Sequence, residues 1–194
     1  MQRVFRLRRT HGISLVTVLL VVLVAIAQQQ GWLYTAKEGV LTSQPGLYTV
    51  ERFVDGDTIA VDMNGTTETI RFIGIDTPET HKPNSPVQCY GPAAAAYTKN
   101  RIGTQRIRLV SDSLSTNRDR YNRLLRYVYL TDGTNLNQEL VAKGYAFAYL
   151  SFPFTKSDDF AAAQQNAQDG KKGLWGNCAP RLEGNGRWQS NDTS

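Results

Sequence analysis

A small curled β-barrel carrying three helices, an α+β fold, is what this sequence predicts. Three observations carry the prediction. Two hairpin signals, Asp55-Gly56 and Asn64-Gly65, separate three strand-like runs. A helix bounded by Gly91-Pro92 and Gly103 comes after the third run. Two more β-rich runs come next, and then two capped helices. The order β-β-β-α-β-β-α-α, five strands with a helix between the third and fourth, is the layout of a partly open Greek-key barrel of the OB type.

Each element has a local reason. LYTVERFV, from Leu47, alternates and stops at Asp55-Gly56. DTIAVDM alternates through Ile59 and Val61 and stops at Asn64-Gly65, and TTETIRFIGI continues in β-branched and aromatic residues. AAAAYTKNRI is an alanine-rich helix with Pro92 at its first position. QRIRLVS and LLRYVYL read as the fourth and fifth strands. Asn135 is placed to cap LNQELVAK, with Gln138 three residues on and Gly144 at the stop. Ser157 is placed to cap DDFAAAQQNAQD, whose first turn is acidic and whose stop is Gly170.

The flanks differ in composition. Arg3, Arg6, Arg8 and Arg9 precede the apolar run Ile13–Ala27. A basic flank before an apolar stretch keeps the flank inside and sends the downstream chain across the membrane. Residues 1–34 are therefore expected to be a signal peptide, with Ala25-Ile26-Ala27 as a small-x-small cleavage site, or a retained membrane anchor with Trp32 and Tyr34 at the outer interface. Both alternatives stay open, and both export the domain. Residues 35–46 read as a linker, 47–178 as the globular domain and 179–194 as a flexible polar tail. A single copy of the chain is the expected working unit.

The net charge of +5 on 194 residues does not by itself imply a nucleic-acid partner. The first 30 residues hold four arginines and no acid, leaving 18 basic against 17 acidic residues beyond them. In an oxidising compartment the pair Cys89 and Cys178 reads as a disulfide; two separate buried thiols are the alternative.

Two constellations carry chemistry. In the first, Asp57 starts a strand, where Asp is depleted, and Asp76-Thr77-Pro78-Glu79 comes after the third strand, close to Arg71. Singly these residues read as turn formers and surface acids. Together they supply hard oxygen ligands that suit Ca²⁺ or Mg²⁺. In the second, Lys99, Arg101, Arg106, Arg108, Arg118, Arg120, Arg123 and Arg126 fall within 28 residues that contain only Asp112 and Asp119 as acids. A solvated face explains such a run equally well. The interleaved Tyr121, Tyr127 and Tyr129 add a base-stacking reading, with Arg120 as a candidate nucleic-acid contact.

The ordered motifs go further. V-D-G-D-T at Val54–Thr58, I-R-F-I-G-I-D-T-P-E-T at Ile70–Thr80 and Y-G-P-A-A at Tyr90–Ala94 resemble the staphylococcal nuclease (thermonuclease) family. So do D-R-Y-N-R-L-L-R-Y-V-Y at Asp119–Tyr129, N-Q-E-L-V-A-K-G-Y-A at Asn137–Ala146 and K-K-G-L-W at Lys171–Trp175. The resemblance implies an exported, Ca²⁺-dependent endonuclease that hydrolyses DNA or RNA and leaves 3′-phosphate ends. It implies Asp57, Asp76 and the Thr77 carbonyl as calcium ligands, with Asp55 as an acid behind them. It implies Glu79 as the general base, Arg71 and Arg123 as the phosphate clamp, and Tyr121 beside the nucleotide. Asn122 stands where the family has Gly, and Asn tolerates the left-handed conformation. The residues after Tyr145 do not align with the family's nucleotide-stacking tyrosines, and Tyr149 is the best candidate there.

Two other readings stand beside the nuclease: an OB-fold module that binds single strands without cutting them, and an exported domain that uses calcium only for stability. One geometric difficulty also stands. With Asn64-Gly65 as a two-residue turn, Thr58 faces Arg71, and in an ideal ribbon Arg71 points away from the face of Asp57. A bulge or strong barrel curl is needed to bring them together.

Overall fold

The computed structural model describes residues 46–80 and 86–193, together with 16 and 18. The chain divides into two compact units, Met1–Leu41 and Thr42–Ser194. The barrel and its helices all belong to the second. The expected export segment (1–34) and linker (35–46) lie outside the described residues, apart from residues 16, 18 and 46. Among the described residues no helix is long and apolar enough to cross a membrane.

Five strands close a barrel: β1 (Leu47–Phe53), β2 (Thr58–Met63), β3 (Thr66–Phe72), β5 (Ile107–Val110) and β6 (Leu124–Tyr129), in the order β1-β2-β3-β6-β5. Between them in the chain lie the short β4 (Ile75–Asp76) and the helix α1 (Gly91–Ile102). The barrel is closed rather than partly open, because β1 pairs with β5 through Leu47↔Arg108 and Tyr48↔Ile107. β3 and β6 run parallel; the other barrel neighbours are antiparallel. Both hairpin signals sit at real turns, with Asn64 and Gly65 at positive φ.

Ile59, Val61, Ile70, Phe72, Leu109, Leu124 and Val128 fill the core and are almost wholly buried. Each such side chain contributes roughly 1.5–3 kcal/mol by leaving water. Outside the barrel come α2 (Leu136–Ala142), β7 (Phe147–Ala148), α3 (Ser157–Asp169) and the one-turn α4 (Leu174–Asn177). α2 packs on α3 and on β6. Asn135 does cap α2, accepting from the Gln138 amide at 3.3 Å. Ser157 is instead the first helical residue of α3 and Lys156 takes the capping position without a side-chain bond. The acidic first turn, Asp158 and Asp159, supplies the favourable charge there.

Asn137, completely buried, ties the helical layer to the barrel. Its Oδ1 accepts from the Val128 amide at 2.9 Å, and its Nδ2 donates to the carbonyls of Ile73 and Arg126. It thereby holds the turn that leads from β3 into β4.

Within the stretch expected to be a flexible tail, 179–194, β8 (Arg181–Leu182) and β9 (Trp188–Gln189) pair as a small hairpin. Two-residue strands are too short to show periodicity in sequence, and the forces that order them come from elsewhere in the chain. Trp188 stacks on Phe147 and meets Trp175 edge-on at 4.9 Å. Cys89 and Cys178 are joined by a disulfide across 89 residues. The Cys89 amide donates to the Asn191 carbonyl at 2.7 Å, and Ser190 Oγ donates to the Cys89 carbonyl at 2.9 Å.

Candidate active site

Arg71, at the end of β3, stands between two acids. Its Nη1 lies 3.1 Å from Asp57 Oδ2 and its Nη2 lies 2.9 Å from Asp76 Oδ1. The same guanidinium donates to the carbonyls of Phe72 and Ile75, at 3.2 and 2.9 Å. These bonds leave the fork little freedom, and Lys could not reproduce them.

The geometric difficulty is solved without a bulge in the β2–β3 ribbon. The ladder runs unbroken from Met63↔Thr66 to Thr58↔Arg71, and the Phe72 amide then donates to the Asp57 carbonyl at 2.9 Å. The register irregularity lies between β1 and β2, at Val50/Arg52. Arg71 still faces Thr58, but its side chain passes the end of the ladder to the β3–β4 turn. The chain reverses at Gly74, φ +73°, and brings Asp76 to the other side of the guanidinium.

The acids are held by short-range bonds. Asp55 Oδ1 accepts from the Asp57 amide at 3.0 Å, an Asx turn. Asp57 Oδ1 accepts from Thr58 Oγ1; its Oδ2 accepts from the amide and the hydroxyl of Thr77, at 2.8 and 3.0 Å. The DGDT and DTPE segments are thus bolted together, and Gly56 permits it: a Cβ there would meet the Thr77 side chain at 2.8 Å. Glu79 is fixed through its backbone to Gln88, whose Oε1 accepts the Glu79 amide at 2.8 Å while the Gln88 amide donates to the Glu79 carbonyl at 2.9 Å. Its carboxylate accepts from the Thr80 amide at 3.0 Å. α1 starts directly against this segment, and a Cβ at Gly91 would meet the Glu79 carbonyl at 2.7 Å.

Arg123, at the turn before β6, also lines the cleft. Asp119 Oδ1 accepts from the Tyr121 and Arg123 amides, and Arg123 donates back from its side chain to Asp119 Oδ2. Asn122 takes φ +64°, so the turn that the family makes with Gly survives. Tyr121 is 65% exposed, and the Arg120 and Arg123 guanidiniums lie against its ring.

The rest of the basic run divides by role. Arg126 is fully buried and spent on Asn117 and the Leu125 carbonyl; burial, and after it nearby Arg118, pulls its pKa down to about 10. Arg101 is committed to Asp132 and Glu139, Arg118 to Glu68, and Arg106 donates to the Leu47 carbonyl. Arg101, Arg106, Arg118 and Arg126 are thus engaged within the protein, and Arg120 and Arg123 reach the exposed ring of Tyr121.

One open cleft of about 990 Å³ collects the expected residues. Asp55, Asp57, Arg71, Asp76, Thr77 and Glu79 line it together with Arg118, Arg120, Tyr121 and Arg123, and Tyr149 lines it beside β4, its amide donating to the Gly74 carbonyl at 2.8 Å. Arg187, from the C-terminal hairpin, also lines it. Nothing in the sequence pointed to Arg187, Asn137 or Gln88 as supports of this site.

The electrostatics of the acidic side are strained. Burial, reinforced by the charge of Asp57, pushes Asp55 up to about 7. Burial and Asp57 also raise Asp76, against the pull of Arg71 and Arg187. Burial pulls Arg71 down, but Asp57, Asp76 and Asp55 together hold it protonated above its ordinary range. Among the described residues no three acids, histidines or cysteines converge as a ready-made metal cage. The donor set nevertheless fits a hard divalent cation: it is all oxygen, it holds more carboxylate than one guanidinium satisfies, and a cation would relieve the raised carboxyls.

Comparison with known proteins identifies relatives. The profile of the family described as staphylococcal nuclease homologue matches residues 69–177. The chain is 39% identical over 171 residues to the thermonuclease of Staphylococcus hyicus, covering 87% of this chain and 98% of that protein. It is 43% identical over 129 residues to the thermonuclease of Staphylococcus intermedius, covering 66% of this chain and 75% of that protein. It is also 43% identical over 129 residues to the SPbeta prophage-derived endonuclease YokF of Bacillus subtilis (strain 168), covering 66% of this chain but only 43% of that protein.

Proposed function

The chain belongs to the staphylococcal nuclease family and is a hydrolase, a nuclease of the thermonuclease type; from that premise we propose that it is an exported, Ca²⁺-dependent endonuclease leaving 3′-phosphate ends. One observation carries the reading: Asp57 and Asp76 share a single guanidinium, Arg71, in the same cleft as Glu79 and Arg123. Asp57, Asp76 and the Thr77 carbonyl would hold the calcium, with Asp55 behind them. When bound, the ion supplies Lewis-acid polarisation of a phosphoryl oxygen. Arg71 and Arg123 bind the scissile phosphate and stabilise charge that grows on its equatorial oxygens. Glu79 takes the proton of the attacking water, and cleavage releases the 5′ oxygen. Arg120, Tyr121 and Tyr149 hold the flanking nucleotides by charge and stacking, which favours weak sequence preference.

Export rests on the four arginines before Ile13–Ala27 and on the disulfide, since such bonds persist in oxidising compartments. Whether the segment is cleaved or retained as an anchor, the domain (47–178 with its C-terminal hairpin) works outside the membrane.

The test is plasmid nicking by Glu79→Gln with and without a chelator. This substitution keeps the shape and removes the base, so turnover falls about 10²–10⁴-fold while circular dichroism is unchanged. Product ends are read by phosphatase-dependent labelling. A folded Glu79→Gln protein that nicks at the parent rate sinks the assignment, and chelator-resistant nicking by the parent sinks the calcium dependence.

A further inference from the structure

Arg187 lies beyond the matched family residues, 69–177, yet it lines the cleft. Its Nη2 is 2.7 Å from Asp76 Oδ2, the carboxylate oxygen that Arg71 leaves to others. Its guanidinium also lies 4.8 Å from the centroid of the Tyr149 ring. The backbone behind it is pinned: the Arg187 amide donates to Asn185 Oδ1 at 3.0 Å, and its carbonyl accepts from the Glu183 amide at 2.8 Å. Next to it Trp188 is wedged against Phe147 and Trp175. A fixed base thus presents a long cationic side chain, 45% exposed, at the mouth of a cleft lined by Arg71 and Arg123.

We propose that Arg187 is a further substrate-binding residue: a guanidinium that takes a backbone phosphate next to the nucleotide on Tyr149. The inference rests on the nuclease reading of the cleft. The chemistry is an exchange of anions. Without substrate the guanidinium rests on Asp76, the nearest carboxylate. Positive charge gathered at Asp76 weakens that pair, and a polyanionic strand in the cleft offers the replacement. Arginine suits the step because its planar fork binds phosphate bidentately while its face stays on an aromatic ring. The disulfide and the Trp188 stack have a part in this, since they keep the hairpin, and hence Arg187, beside the cleft.

The experiment uses the full chain carrying Glu79→Gln, so that the probe is bound but not cut. A fluorescein-labelled single-stranded oligothymidylate is titrated by anisotropy in calcium, across a series of salt concentrations. Adding Arg187→Ala is expected to weaken binding about five-fold at moderate salt and to flatten log Kd against log salt by about 0.7, the share of one phosphate contact. Arg187→Lys is expected to restore the salt slope while recovering only part of the affinity. Calcium affinity is measured separately by calorimetry without oligonucleotide, and Arg187→Ala is expected to hold or raise it. Unchanged oligonucleotide affinity and slope would overturn the proposal. So would lowered calcium affinity with an unchanged slope, which would make Arg187 a brace for Asp76 alone. A parent protein that fails to bind the probe at all overturns the nuclease reading beneath it, an outcome distinct from the other two.

Discussion

Asp112 is buried, the acids around Arg71 are buried or half-buried, and the two groups have opposite electrostatic fates. Asp112 accepts from the Leu114 and Ser115 amides, from the Tyr127 hydroxyl, and from both the amide and the hydroxyl of Thr155. Burial alone would raise its pKa, but these bonds, led by Thr155, hold it below the ordinary range. Among the described residues Asp76 meets only guanidiniums, and it shares Arg71 with Asp57 and Asp55. Its pKa rises. A carboxylate surrounded by neutral donors is settled, because each donor stabilises the charge without bringing a like charge near. Carboxylates crowded on one guanidinium stay short of positive charge. The first arrangement staples a loop to a strand; the second leaves its carboxylates with raised pKa values.

Breaking the second arrangement should cost activity and leave the fold intact. Asp57→Asn removes one unit of ligand charge and one of the repelling acids. At limiting calcium, cutting is expected to fall by about two orders of magnitude, to be recovered largely in excess calcium, with the thermal midpoint kept or raised. Calcium titrations of activity beside calorimetric melting check both. A collapse of the fold would erase the distinction between the two kinds of acid.

Breaking the first arrangement should do the reverse. Asp112→Ala leaves the Tyr127 and Thr155 hydroxyls without their acceptor and should lower stability by about 3 kcal/mol in urea unfolding. At low temperature kcat should stay close to the parent value. A variant as stable as the parent but inactive would make Asp112 part of the chemistry.

The smallest expected effect is in pH. A folded-state pKa of about 7 for Asp55, against 3.8 unfolded, means that the folded chain binds the extra proton between those values. The stability it contributes is full below 3.8 and is lost as pH rises through 7. Asp112 has the opposite sign: its contribution is present above 3.8 and is lost as pH falls. In chelator, the thermal midpoint of the parent should therefore drop by a few degrees from pH 5 to pH 7.5 relative to Asp55→Asn, and calcium should abolish the difference. A pH-independent gap between the two proteins would remove Asp55 from the electrostatic account.

Much of the site was legible because its residues sit in short motifs at strand ends. Asp57 at a strand start and Arg71 seven residues past the Asn64 turn fix their places through local pairing alone. The basic run was less legible. Composition cannot tell Arg126, buried on Asn117, from Arg120, lying on the exposed Tyr121, because each has the same charge and a similar neighbourhood in the chain. Only the alternation of β6 relative to the loop before it separates them.

By itself the sequence determined the succession of barrel strands and main helices along the chain, the turns at Asn64-Gly65 and Asn122, the α2 cap at Asn135, and the identity of the acids and arginines, all of which depend on residues within a few positions of one another. Tertiary structure alone decided the closing pair of β1 with β5, the sharing of Arg71 between Asp57 and Asp76, the support of Asn137 under the β3–β4 turn, and the ordering of the C-terminal hairpin that carries Arg187. Those features join residues as far as 111 positions apart through single hydrogen bonds, ion pairs and ring contacts. Such contacts leave no periodic trace in the chain, and they become favourable only after the barrel has brought their partners together.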